Sequence, residues 1–438
     1  MRITIVTGGS LGDLQPYVAL GLGLQQAGHV VKLLVFTNQA RQEFISRWGL
    51  ECVCMDLHAE EFSTEPFWKW LHPNPFYIFN NIRSVLQPLE DSYLSKLLDL
   101  CQGAEAIILS QFSLLGYDII EKLGVPCYAA CIPPISPTQA FPHPAAPIEL
   151  HLGGIYNRLT YFLFDQLLWR SVRGPINRWR QEVLKLTPIA WWLSPVHRLH
   201  QQKLPFLYGY SPSLLPKPSE WPDWLHVTGY WFIDCPESWQ PPIDLVDFIA
   251  IGSPPVYVAG RGLTEEELKL VLEAIAQTNQ RCILQVPGEL TGENSLSEDF
   301  DLSDKVFKLS EWVPFDWLFP QMAALVHHGG AGTLAYGVRS GVPSITIPSG
   351  DDRFFWAHRV AELGLGPKPI LPHQLSSQRL ADAIRLATND RAMQARASAM
   401  GRKIQAENGV VRAIEAFHRH LPNKVGTYAK HKESSGNS

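Results

Sequence analysis

The sequence predicts an α/β protein with parallel strands, divided into two domains. Three observations predict it. Short continuous apolar runs (Ile3–Thr7, Val30–Phe36, Ala104–Ser110) alternate with helix-length segments, as expected of strands buried on both faces. Glycine-rich turns stand between an apolar run and a helical segment in two places, Gly8–Asp13 and His327–Thr333. And 438 residues exceed what one core ordinarily holds, while an apolar content of 46% suffices to fill two.

The N-terminal domain is expected to span residues 1–240. Ile3–Thr7 is a central strand, and Gly8-Gly9-Ser10-Leu11-Gly12-Asp13 turns the chain after it. Pro16 suits the start of the next helix, where its missing N–H costs nothing, and Gly28 ends it. Val30–Phe36 completes a Rossmann-like βαβ unit. A dinucleotide site is disfavoured: the glycines lack the G-x-G-x-x-G spacing, and the second strand ends in Phe36-Thr37-Asn38 without a ribose-binding acid. Asp13 follows the turn at a strand's carboxyl end. Its carboxylate can serve as a general base facing a cleft, or as the N-cap of a helix beginning at Pro16.

Two aromatic clusters follow. One lies within Glu60–Asn81 and includes Phe67, Trp68, Trp70 and Phe76. The other, Tyr156–Trp192, holds Tyr161, Phe162, Phe164, Trp169, Trp179, Trp191 and Trp192 with Arg158, Arg170, Arg173, Arg178 and Arg180 among them. Large rings usually build cores. A greasy pocket, with an arginine-rich rim resting on lipid headgroups, is the functional alternative. Cys127–Cys131 is a further strand after Gly124-Val125-Pro126; proline-rich Pro205–Pro222 is read as the end of this domain and Trp239–Asp247 as the linker.

The second domain is expected over residues 247–400. Val256–Ala259 opens it, and Thr264–Gln277 forms a helix with Glu265-Glu266-Glu267 in the first turn, where the helix dipole favours acids. Strands follow at Arg281–Val286 and Val306–Leu309, then at Ala323–Val326 and Ser344–Pro348. Helices are expected at Trp356–Gly364, Ser376–Ala397 and Met400–His420, and a disordered polar tail over Lys424–Ser438.

Chemistry concentrates between Glu311 and Trp356. His327-His328-Gly329-Gly330-Ala331-Gly332-Thr333 joins a strand to a helix start. Backbone N–H groups at such a turn, with the helix dipole behind them, cradle phosphate, and glycines let it approach. The turn is neither a Walker loop nor a dinucleotide fingerprint. Trp312-Val313 lies at the end of the preceding strand, and Asp351-Asp352 past the following one. An aromatic for a base, a turn for phosphates and acids for sugar hydroxyls describe a nucleotide-sugar site at strand carboxyl ends.

Val313-Pro314-Phe315-Asp316-Trp317-Leu318-Phe319-Pro320, followed by His327–Thr333, resembles the nucleotide-sugar signature of family 1 glycosyltransferases, which have the GT-B fold of two Rossmann-like domains facing each other across a cleft. The sterol-glucosyltransferase and glycopeptide-antibiotic branches are the most similar in these motifs. Gly9-Ser10-Leu11-Gly12-Asp13-Leu14-Gln15-Pro16 resembles the family's G-S-R-G-D-V-Q-P, with leucine in place of arginine at Leu11. The resemblance implies an inverting transferase that moves a hexose, glucose from UDP-glucose above all, to a hydroxyl of a sterol, hopanoid or long-chain lipid alcohol. It makes Asp13 the general base. Ser10, Gly12, Arg261, Trp312, Val313, the seven residues His327 to Thr333, Asp351, Asp352 and Arg353 would hold the donor. Phe67, Trp68, Trp70 and Phe76 would shape the acceptor site. The resemblance also implies a last helix, within 401–422, that crosses back to the N-terminal domain. Gly262 stands where the family has a nucleotide-holding serine, and Arg353 where it has glutamine. An inactive nucleotide- or lipid-binding protein of the same fold is the alternative these departures leave.

Composition bounds the rest. A net charge of −5 with both signs mixed gives no case for nucleic acid. Seven scattered cysteines without a C-x-x-C pair suggest free thiols, a reducing compartment and no structural zinc. Asp299-Phe300-Asp301 has the D-x-D form but lies in a loop of the wrong domain type, so no metal or other cofactor is expected. Met1-Arg2 runs straight into a strand and no apolar run reaches the roughly 18 residues of a membrane span. The expectation is a cytoplasmic protein, with peripheral contact to the membrane's cytoplasmic face left open.

Overall fold

Apolar strands buried on both faces, separated by helices, build two all-parallel sheets. A computed structural model describes residues 1–36, 39–55, 91–146, 152–260, 263–285, 305–350 and 352–421. The first sheet holds β1 (Arg2–Gly8), β2 (Val30–Phe36), β3 (Glu51–Met55), β4 (Ala106–Ser110), β5 (Cys127–Cys131), β6 (Phe206–Tyr208) and β7 (Leu225–Val227). Its order is β3-β2-β1-β4-β5-β6-β7. The second holds β8 (Val256–Ala259), β9 (Cys282–Gln285), β10 (Val306–Leu309), β11 (Ala324–His327) and β12 (Ser344–Thr346), in the order β10-β9-β8-β11-β12. β4, β5 and β9 are buried along their whole length, which is why they read as unbroken apolar runs.

Strand order decides where ligands can go. The chain reverses its direction of travel across each sheet between β1 and β4, and between β8 and β11. Such reversals open a crevice at the strands' carboxyl ends. Gly8–Asp13 follows β1 and His327–Thr333 follows β11, so both glycine turns lie at these crevices.

Three expectations are corrected. The first helix begins at Leu11, not Pro16, because Ser10 and Asp13 form a capping box that starts it earlier. Pro16 is then inside the helix and cannot donate to the Gly12 carbonyl. The proline-rich stretch 205–222 does not end the sheet: β6 starts within it and β7 follows it. The last two expected helices are three, Ser377–Asn389, Arg391–Gln405 and Gly409–Arg419, and Asp390 caps the second through Ala392 and Met393 N–H.

The aromatic cluster 156–192 sorts residue by residue. Tyr161, Trp169 and Trp179 are core, whereas Phe162, Trp191 and Trp192 are exposed. Arg180 is also buried, paired with Asp118 and with Glu121, which Arg198 shares. Phe67, Trp68, Trp70 and Phe76 lie outside the described residues, as do Asp299-Phe300-Asp301 and the 424–438 tail.

The helix Gly409–Arg419 packs on the N-terminal domain. Phe417 lies 4.5 Å from the Tyr128 ring, and the Tyr128 hydroxyl donates to the Phe417 carbonyl at 3.0 Å. Two imidazole pairs fasten its end, His29 to His418 and His226 to His420, each with Nε2 to Nε2 at 2.8 Å. Burial, then the N-terminal charge and His418, lowers the His29 pKa. Burial, then His420, Arg419 and Lys217, lowers that of His226 to about 4, against an opposing Asp223. Burial and Arg419 lower His420. Each of these three rings binds its proton less well folded than unfolded. The stability they contribute is therefore complete above the ordinary histidine value of 6.5 and is lost as pH falls toward about 4. The urea midpoint should drop across that window, and His226→Phe should flatten the drop; an unchanged slope would remove this role.

Candidate active site

The C-terminal turn is built by its neighbours. β11 ends in His327, whose Nδ1 accepts from the Gly329 N–H at 3.1 Å. That bond places the ring proton on Nε2, which is buried without a partner among the described residues. Burial, with His328 behind it, pushes the His327 pKa down to about 3. His328 is pushed to about 4 by burial and by Arg353. Both rings are neutral at pH 7 and can donate without carrying charge.

Gly329 takes φ +79°, a left-handed backbone, with the Arg353 carbonyl close by. Gly330 caps the helix Ala331–Ser340. The N–H groups of Ala331, Gly332 and Thr333 therefore have no partner within that helix. Three orphan donors, a helix dipole and a buried imidazole N–H make a site for an anionic oxygen.

The edges follow from the next strand ends. Asp352 stands before the helix Arg353–Glu362, and one of its oxygens accepts from the Trp356 indole at 2.8 Å, which fixes the carboxylate. The Arg353 guanidinium donates to the Ser349 carbonyl at 2.8 Å and hydroxyl at 3.0 Å. Asp351, Arg261 and Gly262 lie outside the described residues. Val313 is buried, and beside it half-buried Trp312 lines a shallow, open cleft. Gln15, Phe44 and Trp48 of the N-terminal domain line the same cleft, with Asp316 and Tyr336. Phe44 meets Trp312 edge to face at 6.0 Å. Gln15 and Asp316 stand inside the two motifs quoted from the sequence, whereas no local pattern marks Phe44 and Trp48, which meet Trp312 only across the domain boundary.

On the N-terminal side, Ser10 is the N-cap of the first helix and Asp13 its third residue. The Ser10 N–H and hydroxyl both donate to Asp13 Oδ2 at 2.7 Å. Neither bond uses Oδ1. One turn on, the Tyr17 hydroxyl donates to Gln111 at 2.5 Å and the Ala130 carbonyl at 2.9 Å. Burial, with Cys131 and Asp13 behind it, raises the Tyr17 pKa well above its usual value, so it stays a neutral donor.

The two turns meet. A methyl group added at Gly332 would lie 2.9 Å from the Gly12 carbonyl oxygen and 3.4 Å from the Gly12 Cα. Ala331 packs against the N-terminal core that contains Leu14 and Tyr17. Asp13 follows Gly12 and Thr333 follows Gly332, so the starts of the first helix and of Ala331–Ser340 are neighbours. Ser10, Gly12, Asp13 and His327–Thr333 are brought together; Trp312 and Asp352 stand on the strand ends to either side.

Among the described residues no group of three histidine, cysteine or acidic side chains could hold a metal ion. No described helix is long and apolar enough to cross a membrane. No disulfide joins any of the cysteines in the described residues.

Comparison with known proteins places each half. Residues 3–142 match the glycosyltransferase family 28 N-terminal domain. Residues 269–414 match the C-terminal domain of erythromycin biosynthesis protein CIII-like proteins. The sterol 3-beta-glucosyltransferase of Cryptococcus neoformans var. neoformans serotype D is 35% identical over 446 residues, covering 96% of this chain and 27% of that protein. The sterol 3-beta-glucosyltransferase of Yarrowia lipolytica is 33% identical over 438 residues, covering 96% of this chain and 29% of that one. The chain thus spans less than a third of the length of these relatives. Among solved structures, the glycosyltransferase of kitacinnamycin superposes with a TM-score of 0.67 at 18% identity, over 96% of this chain and 99% of that one. Spinosyn rhamnosyltransferase SpnG complexed with thymidine diphosphate gives 0.64 at 17% identity, over 95% and 100%.

Proposed function

We propose, from the premise that this chain belongs to the GT-B glycosyltransferases, with a family 28 N-terminal domain and an erythromycin-CIII-like C-terminal domain, that it transfers glucose from UDP-glucose to the hydroxyl of a sterol or similar lipid alcohol. The observation that supports this best is the meeting of Gly12 and Gly332, which sets a carboxylate beside an anion-binding helix start. The two sterol glucosyltransferase relatives support the choice of sugar and acceptor.

In this mechanism the uracil lies on Trp312 and the diphosphate on the N–H groups of Ala331, Gly332 and Thr333. His327 and His328 add neutral donors. Asp352 and Arg353, with Asp351 and Arg261, complete the donor site. Asp13 takes the acceptor's hydroxyl proton as its oxygen attacks the anomeric carbon from the face opposite the leaving UDP. The bond to UDP breaks in the same displacement, inverting the centre. Charge growing on the diphosphate meets donors already in place, so no metal is required. A sterol partitions into bilayers, so the enzyme would work in the cytoplasm at a membrane surface.

UDP release from UDP-glucose, measured with and without a total lipid extract, tests this. Extract-dependent release with a glucosylated lipid product is expected. Release only from another UDP-sugar would shift donor choice to the position of Arg353. UDP binding without release from any donor would favour the inactive binder.

A further inference from the structure

The helix Gly154–Trp179 should bury one face and wet the other. Its inner face does the first: Thr160 accepts from the His143 N–H at 2.8 Å, and Phe164 stacks on His143 at 4.0 Å. The first half of its outer face is largely apolar. Ile155, Leu159, Phe162 and Leu163, at helical spacings of four, three and one, are between 47% and 87% exposed. Trp191 and Trp192 extend the surface: the Gln166 amide donates to the Trp192 carbonyl, and Arg170 lies over the Trp191 ring at 5.5 Å. Of the fifteen large apolar side chains exposed among the described residues, seven lie between Leu152 and Leu163 or at these tryptophans.

Charge selects the occupant. The helix carries four arginines and one acid, Asp165, on a chain whose net charge is −5. Asp165 is half-buried and accepts from the Ser194 hydroxyl. Arg158, Arg170, Arg173 and Arg178 are all exposed. An apolar stripe with tryptophans at one end and arginines beside it matches the acyl–headgroup boundary of a bilayer, where rings sit at headgroup level and arginines meet lipid phosphate.

We propose that this face of Gly154–Trp179, with Trp191 and Trp192, docks the protein on a phospholipid bilayer containing anionic lipid. This deepens the membrane contact of the proposed function by naming the surface and the lipid charge. The face also has a path to the cleft. Asn157 donates to the Gln139 carbonyl at 2.8 Å, and Phe141, two residues on, meets Phe355 of the C-terminal domain at 5.5 Å. Docking would thus set the loop 133–143 between the bilayer and the donor domain.

The test is co-sedimentation of the full chain with phosphatidylcholine vesicles, with and without phosphatidylglycerol. It needs neither donor nor acceptor, so it can fail while transfer succeeds, and the reverse. Binding to the anionic vesicles, weakened by salt, is expected. Phe162→Ser with Leu163→Ser should weaken it by about tenfold or more. Arg170→Glu with Arg173→Glu should cost about fivefold per arginine removed, and only on anionic vesicles. Val411→Ser, an exposed apolar change on another helix, should bind like the unaltered protein. No vesicle binding, or equal binding by Phe162→Ser with Leu163→Ser, would overturn the proposal. So would light scattering that finds a dimer which this pair of changes converts to monomer, since the face would then belong to a second copy.

Discussion

Asp13→Asn should lower transfer by about 10²- to 10⁴-fold, the range over which general bases act. The same change should leave folding nearly intact, and the reason is local. Asp13 has a structural duty, accepting from the Ser10 N–H and hydroxyl at the start of the first helix. An asparagine carbonyl oxygen can accept both bonds, so the helix start survives. It cannot take a proton from an attacking hydroxyl. Asp13→Ala is less clean, because it removes the cap as well, at a cost of about 1 kcal/mol. The measurement is turnover by UDP release, paired with UDP affinity by calorimetry and a thermal melt. Lost turnover with unchanged affinity and melting assigns the base. Retained turnover would return Asp13 to the capping role alone.

Much of this was legible in the sequence, for identifiable reasons. Strands β1, β4 and β11 announced themselves because strands buried on both faces are made mostly of apolar residues. The glycine turns announced themselves because few residues besides glycine suit a left-handed backbone such as that of Gly329. The helix start did not, since proline's preference for the first helical position drew attention to Pro16. The stronger local signal was Ser10 followed three residues later by Asp13. β6 and β7 escaped because three-residue strands have no period to read. Phe44 and Trp48 escaped for a different reason: their place beside Trp312 depends on how two domains face each other, which no local pattern encodes. In the cluster 156–192, sequence neighbours such as Tyr161 and Phe162 differ in burial because a helix turns each residue by about 100° and buries only one face.

Gly332→Ala should be nearly as damaging as the loss of the base, though it removes no functional group. The added methyl would stand 2.9 Å from the Gly12 carbonyl oxygen, an approach that forces movement. That carbonyl belongs to backbone and cannot swing aside. It is also exposed to contact because Pro16 offers it no helical donor. One of the two turns must therefore shift. The native fold should lose about 1–3 kcal/mol, as overpacked sites do. Transfer should fall by about 10²-fold, because a displacement near 1 Å between base and leaving group is enough for that. Gly174→Ala is the control: it lies on an exposed part of the long helix with open space around it. Its turnover should match the unaltered protein, and its melting point should not fall, since alanine suits a helix interior better than glycine. If Gly332→Ala matches it too, the two glycine turns do not work in contact, and the donor and the base must be brought together by another closure of the domains.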